Sequence, residues 1–84
     1  APRGRPLSPK PPVVKARDVV TVAKRLGFVF DHQKGSHGVY YREKDKARVV
    51  IPMHAGKDLG TKTLDGILDD MGVTPEEFRR LLRG

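Results

Sequence analysis

From Ala16 to Leu26, the residues Val19, Val22, Ala23 and Leu26 recur at i, i+3, i+4 and i+7. That is the stripe of an amphipathic helix, and Gly27 follows at the position where helices commonly stop. The period then changes to two. Phe28, Phe30 and His32 alternate with Val29 and Asp31 up to Gln33, Lys34-Gly35 interrupts, and Ser36 to Arg42 resumes with Val39, Tyr40 and Tyr41, which reads as a β-hairpin. Glu43 to Lys46 is a charged turn, and Ala47 to Ile51 is short and β-branched, ended by Pro52 because proline supplies no ladder donor. His54 to Gly60 carries two glycines and no periodicity and is expected to be a loop, with Thr61 or Thr63 capping the helix that follows. Leu64, Ile67, Leu68 and Met71 restore the helical stripe, with Gly72 as its stop. Thr74-Pro75-Glu76-Glu77 is a capping box with proline at the first helical position, and Phe78, Leu81 and Leu82 form the apolar face of a last short helix. The order αβββα(α) predicts an α+β domain in which a three-stranded antiparallel sheet carries the helices on one face.

Five of the seven prolines fall in residues 1–12, so this stretch is expected to be an extended, disordered basic tail preceding a folded domain over 13–84. The chain of 84 residues suits one small domain of modest stability, and is expected to be a complete subunit. Its apolar runs are far shorter than the roughly 20 residues that span a bilayer, and the first residues lack the apolar centre of an export signal. With no cysteine, there is no disulfide framework, thiolate zinc site or thiol nucleophile. A cytoplasmic location is the expectation.

The formal charge is +7, and its distribution matters more than its size. Residues 1–12 hold three cations and no anion, 13–62 hold eleven against five, and 63–84 hold three against five. The basic excess therefore sits in the first three quarters, where a polyanion would be favoured. Charge alone fits a solvated basic surface equally well.

Two segments carry candidate chemistry. Lys34-Gly35-Ser36-His37 places a cation, a flexible residue, a hydroxyl and an imidazole at the hairpin turn, where a phosphate can be approached by backbone and side chains together. His37 is the sharpest candidate, because imidazole accepts and donates a proton near neutrality and suits activation of a ribose 2′-hydroxyl; its plain alternative is a hydrogen-bonded strand histidine. The second segment, Pro52-Met53-His54-Ala55-Gly56-Lys57-Asp58-Leu59, enters the next helix, where backbone N–H groups, Lys57 and Lys62 could hold an anion. His54 could be a general acid, a phosphate donor or a structural group. Gly56-Lys57 is not a P-loop, since Asp58 stands where Ser or Thr is required. Asp31, His32 and His37 could meet across the hairpin, but no metal-ligand spacing is present, so no metal is expected. Ser36 and His37 are adjacent and poorly placed as a nucleophile and base. Tyr40 and Tyr41 should point to opposite faces of the sheet.

Leu26-Gly27-Phe28, Lys34-Gly35-Ser36-His37, Pro52-x-His54-Ala55-Gly56-Lys57-Asp58-Leu59, Thr63-Leu64 and Ile67-Leu68 occur in this order, and together they resemble the HicA (YcfA-like) toxins from about Lys15 to Leu82. The resemblance implies a fold like the double-stranded-RNA-binding domain, messenger-RNA cleavage that arrests translation, and neutralisation by a HicB-type antitoxin. It also implies that the histidine of Gly35-Ser36-His37 is catalytic. Three departures stand out: Gly38 where many members have a second histidine, the additional Pro-rich tail, and Asp65, Asp69 and Asp70 on the second helix where relatives are often basic.

The expected function is that of a toxin endoribonuclease without metal or small-molecule cofactor. His37 acts as base, Lys34 and Lys57 stabilise developing charge, Gly35, Ser36, His54, Gly56 and Lys62 make further RNA or phosphate contacts, and His54 is the first candidate for the acid. The rival expectation is a non-catalytic RNA-binding module with the same fold and basic surface. A third is an interaction protein that docks a partner through Phe78 and the acidic C-terminal region.

Overall fold

The computed structural model describes residues 14–53 and 58–84; the Pro-rich segment 1–12 expected to be disordered, and His54, Gly56 and Lys57, lie outside them. The elements run α1 (Ala16–Arg25), β1 (Val29–Lys34), β2 (His37–Arg42), β3 (Ala47–Pro52), α2 (Thr61–Met71) and α3 (Pro75–Arg83). The strands form an antiparallel sheet in the order β1-β2-β3, so the α+β architecture read from the pattern is the one adopted. Both α1 and α2 pack on β3, and α3 packs on α1 and α2.

Side-chain alternation along β2 and β3 decides which sheet face is covered. Tyr40 opposite Val49, and Gly38 opposite Ile51, point to the helices. There Val49 and Ile51 are fully buried among Val19, Val22, Ala23, Ile67, Leu68, Met71 and Phe78. Burying each of these aliphatic side chains contributes about 1.5–3 kcal/mol. The helices cover the β3 side of this face and stop short of β1, all six of whose residues are exposed. Phe30 is left on the edge with its ring against the Tyr40 ring, edge to face at 5.6 Å.

Helix ends follow local chemistry. The Asp18 carboxylate accepts from the Lys15 N–H at 3.0 Å at the start of α1, and Gly27 leaves that helix with φ +96°, a value side chains rarely tolerate. Thr74 and Glu77 form the expected capping box, with the Glu77 N–H donating to the Thr74 hydroxyl at 3.1 Å and the Thr74 N–H to the Glu77 carboxylate at 3.0 Å. At α2 the sequence reading needs correction. Gly60 occupies the cap and no side chain bonds there, while Thr61 and Thr63 lie inside the first turn. The helix start is held instead by tertiary contacts: the Leu59 N–H donates to the Val14 carbonyl at 2.8 Å, and the Lys15 ammonium pairs with Asp58 at 2.9 Å.

A second correction concerns the first strand. Phe28 is buried ahead of the strand, its ring under the Arg42 guanidinium at 4.4 Å. Arg42 also donates to the Leu26 carbonyl at 2.9 Å and to both oxygens of Asp45 at 2.9 and 2.8 Å. One side chain thus ties the end of α1 to the β2–β3 turn. Further along, the register slips by one residue between Phe30 and His32, so the simple alternation expected from Phe28 to Gln33 is broken by a β-bulge.

Truncating Phe78 to Ala should cost about 3–5 kcal/mol, and Thr74→Ala about 1 kcal/mol, both read by urea unfolding. The Thr74 N–H holds the Glu77 carboxyl below its ordinary range, and the Arg42 guanidinium does the same for Asp45. Unfolding returns both to values of about 4. The stabilisation from these contacts is therefore complete above that value and lost as the pH falls through the lower folded values. Glu77→Gln combined with Asp45→Asn, which removes both titrating carboxyls, should flatten the acid limb of a stability–pH curve.

Candidate active site

The β1–β2 hairpin closes on the pair Lys34 and His37, with Gly35 and Ser36 as the turn. Gly35 has φ +59° and Ser36 does not take a positive φ, the pattern of a tight type II′ turn in which glycine fills the first central position. The Gln33 side-chain amide donates to the Gly35 carbonyl at 3.1 Å, and the Met53 N–H donates to the Ser36 carbonyl at 2.7 Å. The turn is thereby fixed from β1 on one side and from the end of β3 on the other.

His37 stands opposite Lys34 on β1 and Pro52 on β3. Direct cross-strand pairs share a sheet face and bring their Cβ atoms within about 4.5–5.5 Å. This is the face opposite Tyr40, Val49 and Ile51, and hence the face away from the helices. Lys34, Gly35, Ser36 and His37 are all exposed. The rest of this outer face holds His32, Val39 and Val50 in one row and Val29, Tyr41 and Arg48 in another. The Arg48 guanidinium lies 5.3 Å from the centre of the Tyr41 ring. Tyr40 and Tyr41 divide between core and outer face as their adjacency requires.

The structure therefore brings together Lys34, Gly35, Ser36 and His37. It places Lys62 elsewhere, in the first turn of α2, whose start is tied to the N-terminal end of α1. His54, Gly56 and Lys57 lie outside the described residues, although the chain enters their segment from Met53, which is bonded to the turn. Among the described residues no group of three or more His, Asp or Glu side chains is arranged to hold a metal ion, and no described helix is long and apolar enough to cross a membrane.

Gly38 follows His37 on the covered face. A Cβ there would meet the Met53 Cγ and the Tyr40 Cε1, both at 3.2 Å, so the close packing of Met53 over the base of the hairpin favours glycine. The hairpin thus displays the histidine of its Gly35-Ser36-His37 run on the open face. A family model described as HicA toxin of bacterial toxin-antitoxin matches residues 16–73. The chain belongs to the HicA toxin family. No curated protein sequence matches it. This HicA chain is thus the toxin member of a toxin–antitoxin pair, and an antitoxin is its partner.

The sequence reading weighed Asp31 and His32 only as a possible metal group with His37 and did not single out Arg48; the outer face of this HicA domain holds all three. Arg48 was accessible from alternation along β3, since Val49 and Ile51 read as core and their neighbours must face outward. His32 was not, because the bulge that turns it outward leaves no mark in the hydrophobic pattern. Asp31 donates nothing to periodicity, yet its carboxylate lies 2.7 Å from the His32 Nδ1 and 3.8 Å from Arg48.

Gly35→Ala should cost about 1–2 kcal/mol, because a Cβ at positive φ is strained even though no atom lies within 4 Å of it. Gly35→Asn should cost less, since asparagine tolerates this backbone region better. Denaturant titration of the two variants beside the parent checks the order.

Proposed function

We propose that this HicA toxin is an endoribonuclease that cleaves messenger RNA in the cytoplasm and so arrests translation, with His37 as general base. The observation that carries the reading is the exposed Lys34–His37 pair closing the hairpin on the uncovered sheet face. His37 removes the proton of a ribose 2′-hydroxyl, and the oxygen attacks the adjacent phosphorus. Lys34 lies beside it as a fixed cation for the charge that builds on the phosphate oxygens. Gly35 lets the RNA backbone approach without a side chain in the way, and the Ser36 hydroxyl offers a donor to the same phosphate.

In this reading His54, Gly56 and Lys57 supply further phosphate contacts from the segment after Met53, and Lys62 offers one more cation from the first turn of α2. The scheme as drawn requires no metal ion or organic cofactor. General-base action contributes roughly 10²–10⁴ in rate, a modest acceleration that suffices where few cleavages stop translation. A HicB-type antitoxin would neutralise the toxin by covering the hairpin face, and acidic antitoxin residues opposite Lys34 and Arg48 would speed and orient its docking.

The direct test incubates parent protein and His37→Ala with a long messenger RNA, with and without EDTA. The reading expects His37→Ala to lose about 10²–10⁴ of the cleavage rate while still binding RNA, and EDTA to leave the parent unaffected. If parent and variant both bind and neither cuts, the protein is an RNA-binding module; if EDTA abolishes cutting, the histidine scheme is wrong.

A further inference from the structure

Resting on the ribonuclease reading above, we propose that His32, held by Asp31, is the proton donor to the departing 5′-oxygen and forms an acid–base pair with His37. The argument begins with the bulge. Phe30 pairs with Tyr40, which faces the helices, whereas His32 pairs with Val39, which faces outward. In a regular strand residues 30 and 32 would share a face; the extra residue at Asp31 moves His32 to the opposite one. That is the face of His37.

Beyond the bulge the ladder is regular, with His32 opposite Val39, Gln33 opposite Gly38 and Lys34 opposite His37. His32 and His37 are therefore diagonal neighbours on adjacent strands, a relation that places backbones about 7–8 Å apart and keeps long side chains within mutual reach. Two imidazoles at that spacing can flank one phosphodiester, with Lys34 beside both. Val39, directly opposite His32 and two residues from His37 along β2, is buried, so the two rings and Lys34, not Val39, are what a nucleotide laid across the face meets.

The Asp31 carboxylate fixes the chemistry available to His32. It lies 2.7 Å from Nδ1, so the tautomer it favours keeps a proton on Nδ1 and leaves Nε2 as the atom that gives and regains one. Asp31 is itself held near Arg48, at 3.8 Å. The step balances without any added reagent. His37 takes the 2′-hydroxyl proton as the 2′-oxygen forms its bond to phosphorus. The bond from phosphorus to the 5′-oxygen breaks, and the His32 imidazolium gives its Nε2 proton to that oxygen. The products are a 2′,3′-cyclic phosphate and a free 5′-hydroxyl, and exchange with water returns both rings to their starting states. His32 is about half exposed, with 51% of its side chain accessible, as a group that must meet a leaving oxygen requires.

The test compares two RNAs of one sequence, cut at a site first mapped with the parent protein. One is all-oxygen, and the other has sulfur in place of the bridging 5′-oxygen at that site, a leaving group that needs no proton. His32→Ala should cut the all-oxygen RNA about 10²–10³ times more slowly and the sulfur-bridged RNA nearly as fast as the parent does. Asp31→Asn should show the same selectivity with a smaller loss, because it acts through His32. His37→Ala should be slow on both. Equal losses on the two RNAs in His32→Ala, or no loss on either, would overturn the assignment to His32 while leaving the His37 reading intact. If His37→Ala cuts both as the parent does, the underlying ribonuclease scheme fails instead. Thermal melts of His32→Ala, His32→Gln and Asp31→Asn verify that each remains folded, and His32→Gln should share the defect of His32→Ala because glutamine cannot transfer a proton.

Discussion

The seating of Val49 and Ile51 among the three helices is the interaction on which the remaining structure depends. Both side chains are excluded from water, and because they lie two apart on one strand they commit a whole sheet face to the helices. Once that face is fixed, Tyr40 must point inward, and His37, Val39 and Tyr41 outward. The catalytic candidate is exposed for the same reason the core is closed. The helices reach across β3 and leave β1 as an uncovered edge, so the hairpin projects beyond the packed part of the domain.

Two local devices refine what that global constraint begins. The Gly35-Ser36 turn sets Lys34 and His37 opposite one another and is pinned through Ser36 to Met53. The bulge at Asp31 moves His32 across the sheet. Neither device adds much stability, and a bulge interrupts ladder pairing. What they add is the placement of two imidazoles and a cation on one open surface, with a carboxylate bonded to one ring. Structural support lies elsewhere, in Arg42, which joins the end of α1 to the β2–β3 turn, and in Arg25, whose guanidinium donates to the Leu81 and Leu82 carbonyls near the end of α3. The basic character of the chain is thus divided: Arg42 and Arg25 serve the fold, while Lys34 and Arg48 stand on the outer face.

Much of this was legible from local chemistry. The helical stripes named Val19, Val22, Ala23, Ile67, Leu68, Met71 and Phe78, all of which are core, and the Thr74–Glu77 box is present in both its bonds. Gly27 and Gly72 end their helices in the left-handed region. These features depend on neighbours within one turn of chain. What escaped depends on partners far away or on a register slip. Thr61 and Thr63 satisfy every local requirement of a cap, but Gly60 takes the position because Leu59 and Asp58 are drawn to Val14 and Lys15. His32 reads as sharing the side of Phe30 until one inserted residue reverses it. The family likeness implies catalysis by His37, and the pairing register brings to its side His32, which the sequence offered only as part of a possible metal group.

The account turns on attack by the 2′-oxygen, and the ends of the cleaved RNA report this most directly. After digestion of a defined RNA by the parent protein, mass spectrometry of the fragments should find 2′,3′-cyclic phosphate on the upstream piece and 5′-hydroxyl on the downstream piece. A 3′-hydroxyl paired with a 5′-phosphate would mean that water, not the ribose, attacks phosphorus, and would contradict the mechanism assigned to the hairpin face.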